Sequence, residues 1–125
     1  MKLAKILLLG SAIIFVLVGT AFLFAPRQYA AVLEISAVTP LARTDLRATY
    51  GGLELGVGIF LLLCLVRRSW IGPGLSALAL ATGGFATGRL IGFALERTLN
   101  PLMLGFLFIE IVVTVLSILC LRRLR

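Results

Sequence analysis

Hydrophobic residues in this chain come in long blocks, and polar residues mark the breaks between them. Four blocks cover residues 3–25, 46–66, 71–94 and 101–121. Each holds about 20 apolar positions, enough for a helix to cross a hydrocarbon layer. Neither a strand-like alternation nor a narrow helical stripe is needed to describe them. The blocks predict an all-α integral membrane protein. Pro26 ends the first block, Gly72-Pro73-Gly74 opens the third, and Pro101 sits in the first turn of the fourth, where a missing N–H costs little. The first block resembles a signal peptide, with Lys2 and Lys5 leading in, but it is longer than the usual apolar region of about 7–15 residues. It is therefore expected to be an uncleaved span.

The connections set the order of the helices. Residues 26–44 form the one long link, within which "RQYAAVLEI" suits a short interfacial helix. "RRSW" with "GPG", and "LERTLN", are tight links. Short links make sequence neighbours antiparallel neighbours, so the expectation is a single four-span domain, an up-down four-helix bundle.

Composition agrees. Of 125 residues, 61% are hydrophobic and 14% charged, against about a quarter charged in soluble domains. No residues remain for a second domain. The formal net charge is +7, and its placement orients the bundle. Lys2, Lys5, Arg67, Arg68, Arg122, Arg123 and Arg125 share one side with no acid. Arg27, Arg43, Arg47, Arg89 and Arg97 balance Glu34, Asp45, Glu54, Glu96 and Glu110 elsewhere. The positive-inside rule puts the basic side, and both termini, in the cytoplasm. That side suits anionic lipid head groups. Nucleic-acid binding would need a folded basic surface, which four spans do not provide.

The candidate chemistry is narrow. With no His, the chain offers no His-based metal site or general base. Cys64 and Cys120 do not form CxxC and read as packing residues. No metal, cofactor or catalytic residue is expected. Four ionisable residues lie within spans: Arg47, Glu54, Arg89 and Glu110. At about 1.5 Å per residue, Glu54 lies about 12 Å and Glu110 about 13–14 Å from the start of their blocks, with Arg89 about 7–8 Å from the end of its own. A charge at the middle of a bilayer costs about 2.5–3.5 kcal/mol, so these groups are expected to turn inward and pair as one cluster.

Helical phase draws in more residues. At about 100° per residue, Arg47, Tyr50, Gly51, Glu54 and Gly58 share one stripe. Gly52 and Gly56 form a GxxxG on the opposite face, and Gly84, Gly88 and Gly92 form a series beside Arg89. These five are expected to pack helices together. Glu110, Thr114 and Ser117 make a polar row on the fourth span.

The stretches "RTDLRATYGGLELGVGIFLLL", "TGRLIGFALE" and "NPLMLGFLFIEIVVTVL" resemble the domain-of-unknown-function family 4345, which is in turn similar to the DoxX-like group. The likeness rests on Arg47, Tyr50, Gly51 and Gly52, then Gly88 and Arg89, then Glu110. It covers nearly the whole chain. It implies a four-helix bundle in the bacterial inner membrane and, through the DoxX-like group, a link to oxidoreductase or quinone-related complexes. It implies no activity.

The charged cluster either serves only as an ion-pair network that fixes the register and pairing of the four helices or forms a site, and for a site three functions compete. The first is a binding or accessory protein, with a lipid- or quinone-like amphiphile held at the charged cluster. The second is a proton-coupled transporter acting as a dimer. The third is a lipid-modifying enzyme using paired carboxylates. Partners are membrane lipids, with a hydrophobic small molecule, a membrane protein or a second copy left open. The buried cluster predicts that Glu54→Gln and Arg89→Gln each lower thermal stability or ligand retention more than Arg67→Gln or Arg68→Gln. Equal melting of all four variants, with equal ligand content, would dismiss the cluster.

Overall fold

A computed structural model describes residues 1–124 and is all-helical, with no strand among them. Helix α1 spans Lys2–Phe24, α2 Pro26–Val32, α3 Pro40–Leu46, α4 Glu54–Val66, α5 Ile71–Glu96 and α6 Pro101–Leu124. A π-helical segment, Arg47–Leu53, joins α3 to α4 without a break, and a 3₁₀ turn, Arg68–Trp70, leads into α5. Four helices are long and apolar enough to cross a membrane: Lys2–Phe24, Pro40–Val66, Arg68–Glu96 and Pro101–Leu124.

The second of these starts at Pro40, six residues before the apolar block that predicts it. Its start is set by capping. Thr39 is extended, and its Oγ1 accepts from the Ala42 N–H at 3.1 Å, while Pro40 stands where no N–H is needed. The same device starts α6, where Asn100 Oδ1 accepts from the N–H groups of Leu102 and Met103 and Pro101 follows directly. The third and fourth helices likewise outrun their blocks, to Glu96 and Leu124. Arg97, at φ 52°, then turns the chain out of α5.

The expected short helix in the long link is α2. It ends in a Schellman turn, with Ile35 N–H donating to the Ala30 carbonyl and Glu34 N–H to that of Ala31. Glu34 takes the left-handed conformation this turn requires, at φ 59°.

The chain forms two compact units, one of residues 9–63 and one of residues 1–8 with those from Cys64 onward. In the first, α1 and α4 run antiparallel and approach to backbone distance. A Cβ on Gly19 would stand 2.5 Å from the Leu55 nitrogen and 2.8 Å from the Gly51 carbonyl oxygen. One on Gly58 would stand 2.9 Å from the Val16 nitrogen. Above this crossing, Phe22, Ala30, Ala37 and Leu46 form a small core with Val18, Leu33 and Tyr50 against it.

In the second unit α5 and α6 are antiparallel, with Thr82 beside Thr114 and Arg89 beside Glu110. Gly74 admits Cys64 and Leu8. The buried row Ile71, Leu75, Leu78, Thr82 and Ala86 marks the packed side of α5. Cys64 and Cys120 are buried free thiols. This arrangement places Arg67 and Arg68, before α5, at the same end as Arg122 and Arg123, closing α6. Arg125, the last of the expected basic set, lies outside the described residues.

The glycine expectation is corrected. A Cβ on Gly56, Gly84, Gly88 or Gly92 meets nothing within 4 Å, and one on Gly52 meets only the Arg47 carbonyl of its own helix. Close packing within the described chain falls at Gly19, Gly51, Gly58 and Gly74 instead. Spacing alone does not tell which side of an apolar helix meets a neighbour, because lipid and leucine are alike. Gly19→Val is therefore expected to lower stability by about 1–3 kcal/mol through overpacking, while Gly56→Ala is neutral or stabilising by up to ~1 kcal/mol. Thermal unfolding in detergent compares them, and a Gly19→Val protein that melts like the parent would refute the crossing.

Candidate functional site

The six candidate residues divide between the two compact units. Arg47, Tyr50, Gly51 and Glu54 belong to one, and Arg89 and Glu110 to the other.

Arg47, Tyr50 and Gly51 all lie in the π segment. Each engages the end of α1. Arg47 Nε donates to the Leu23 carbonyl at 3.0 Å. That carbonyl belongs to the last turn of α1, where carbonyls lack helical partners and carry the negative end of the helix dipole. The Tyr50 ring stacks on Phe22, with centroids 4.9 Å apart and planes inclined 25°. Gly51 is buried, and a Cβ there would stand 3.0 Å from the Leu23 side chain and 3.2 Å from its nitrogen. Arg43 acts nearby in a similar way, donating through Nη1 to the Val38 carbonyl at 2.6 Å and so closing the loop before α3. Glu54 follows directly as the first residue of α4, half-buried.

The expected stripe crosses the π segment, and Arg47, Tyr50, Gly51 and Gly58 all meet α1. The segment's i→i+5 bonds take about one residue more per turn than α bonds do, so residues after it are set back by about 100° from a regular helix. Nothing in an apolar run signals such a turn. Its visible warrant is the set of contacts it makes possible with α1.

In the other unit, Arg89 and Glu110 pair across α5 and α6. Arg89 Nε donates to Glu110 Oε1 at 2.9 Å and to Oε2 at 3.0 Å. The carboxylate is 11% exposed and the guanidinium 26%. Nη1 of Arg89 donates to the Met103 sulfur at 2.9 Å. The Phe106 ring lies against the guanidinium, 5.1 Å from its centre, a contact that favours the cation. Met103, Phe106 and Glu110 are three and four residues apart, so α6 presents them on one face. That spacing is legible in the sequence, but Met103 and Phe106 are ordinary span residues that nothing there sets apart.

One turn past Glu110 along α6, the Thr82 and Thr114 hydroxyls meet at 2.7 Å. Thr82 also reaches the Leu78 carbonyl at 2.8 Å, and Thr114 that of Glu110 at 2.7 Å. Two hydroxyl protons serve three contacts, so when one threonine donates to the other, the acceptor's own proton goes to its carbonyl. Ser117, next in the polar row, is fully buried, and its hydroxyl has no partner among the described residues. No group of three or more His, Cys, Asp or Glu suited to a metal ion occurs among the described residues.

The motif residues of this geometry fall within a match to one protein family, which covers residues 3–121. The chain belongs to the DUF4345 family, described as a domain of unknown function. Neither a curated protein nor a solved structure matches it. The DUF4345 match takes in Arg47 through Gly52, Arg89 and Glu110, so both the π segment and the ion pair lie in the family's part of the chain.

Losing one partner of the pair leaves the other charge stranded. Arg89→Gln and Glu110→Gln are each expected to cost about 1–3 kcal/mol. The double variant should cost clearly less than their sum. Unfolding of the four proteins in one detergent gives the coupling, and strictly additive losses would mean the pair contributes nothing.

Proposed function

We propose that this protein is a membrane-embedded binding or accessory protein, and that the Arg89–Glu110 pair receives the polar head of a lipid- or quinone-like amphiphile. The observation that carries this reading is the state of Arg89. It lies seven residues from the end of α5, within a membrane-length helix, and a quarter of its side chain is exposed. Ionisable groups at such depth are costly and mark working sites more often than not. A pair that served only to join two helices would gain by being fully enclosed. Here the guanidinium is held by Glu110, Met103 and Phe106, yet the side chain stays 26% exposed.

We further infer the setting. The basic end formed by Arg67, Arg68, Arg122 and Arg123 faces the cytoplasm, so the ion pair stands in the outer half of a bacterial inner membrane. Among the described residues no nucleophile–base constellation accompanies the pair, which favours binding over catalysis.

Native mass spectrometry of protein released gently from its own membranes tests the reading. A small molecule bound to the parent and lost from Glu110→Gln is the expected result. The same bare chain in both samples, or a chain bound only to another protein, would overturn it.

A further inference from the structure

The charge balance of the ion pair bears on which head group it selects, given the binding role proposed above. Both carboxylate oxygens of Glu110 share the single Nε hydrogen of Arg89. One hydrogen of Nη1 goes to Met103. The remaining hydrogens, two on Nη2 and one on Nη1, find no acceptor among the described residues. In hydrocarbon such donors are costly until something accepts from them. Space lies close by. Gly92 is one turn from Arg89 on the same helix, Gly88 is its neighbour, and Gly105 adjoins Phe106. A Cβ at any of the three would meet nothing within 4 Å.

The acceptor that fits is set by charge. Between residues 71 and 94 and between 101 and 121, Arg89 and Glu110 are the only charged residues. Together they are neutral. A phosphate or carboxylate head would bring a negative charge that no other residue of these two apolar stretches offsets, in a medium that penalises it heavily. An uncharged oxygen acceptor takes the same hydrogen bonds without that penalty. We propose that the pair selects an uncharged amphiphile with a carbonyl-type acceptor at its head, and that Glu110 is the residue that excludes anions. Glu110 acts through Arg89 and is a positioning residue. With Glu110 neutralised, Arg89 becomes an uncompensated cation and the preference reverses.

Two probes that differ by one charge test this. N-oleoylglycine is anionic at neutral pH, and its methyl ester is uncharged with the same chain. Delipidated protein in a nonionic detergent is offered both in competition and read by native mass spectrometry. The parent should retain the ester over the acid by about tenfold, Glu110→Gln should favour the acid, and Arg89→Gln should retain neither. Dioleoylglycerol added as a competitor identifies the source of the carbonyl. Displacement of the ester points to a bilayer lipid, and no displacement to a separate small molecule. Preference of the parent for the acid would overturn the selection for uncharged heads while leaving a binding site in place. Retention of neither probe by the parent would overturn the binding role itself. If Glu110→Gln does not fold, the parent's own preference still decides.

Discussion

A helix in hydrocarbon gains nothing by exchanging lipid neighbours for leucine neighbours, and every feature of this chain that fixes its form works around that constraint. What remains to hold helices together is close approach of backbones and the satisfaction of polar groups. The structure uses each in a different place. Around α1 and α4 it is approach, at Gly19 and Gly58, where even a methyl group would collide with main-chain atoms. Between α5 and α6 it is polar satisfaction, through Arg89 with Glu110 and Thr82 with Thr114. The long apolar side chains fill space around these points but do not choose them.

The same constraint explains the helix ends. Backbone groups that leave a helix near an apolar layer need partners at once. Thr39 and Asn100 supply oxygen to the first N–H groups, and the prolines after them have none to satisfy. At the other end of α1, the Leu23 carbonyl is met by Arg47 from a different helix. An arginine that sequence suggests as a partner for a carboxylate is, in its Nε, a cap.

Reading from sequence succeeded where the signal was long. Four apolar blocks, the proline-marked start of the fourth and a helix in the long link were all legible, because length and composition decide them. The pairing of Arg89 with a carboxylate followed from the cost of leaving it alone, and the Glu110 side chain meets it. Three things were not legible. The capping of α3 lengthened the second span by residues too polar to count as apolar. The π turn had no signal in the sequence. The glycines that pack were not those with GxxxG spacing, since that spacing shows where approach is allowed and not where a neighbour stands.

The π segment also bears on how this helix tolerates change. Arg47–Leu53 holds about one residue more than a regular helix of the same rise. The chain therefore carries a spare residue midway along a membrane-length helix. Losing one residue there would leave the helix intact as ordinary α structure, still long enough to cross a membrane. Yet it would swing Pro40–Leu46 by about 100° relative to Glu54–Val66. Arg47 would then come away from Leu23, and Tyr50 from Phe22. A deletion invisible to any measure of hydrophobicity or helix content would thus unfasten the end of α1 from its neighbour.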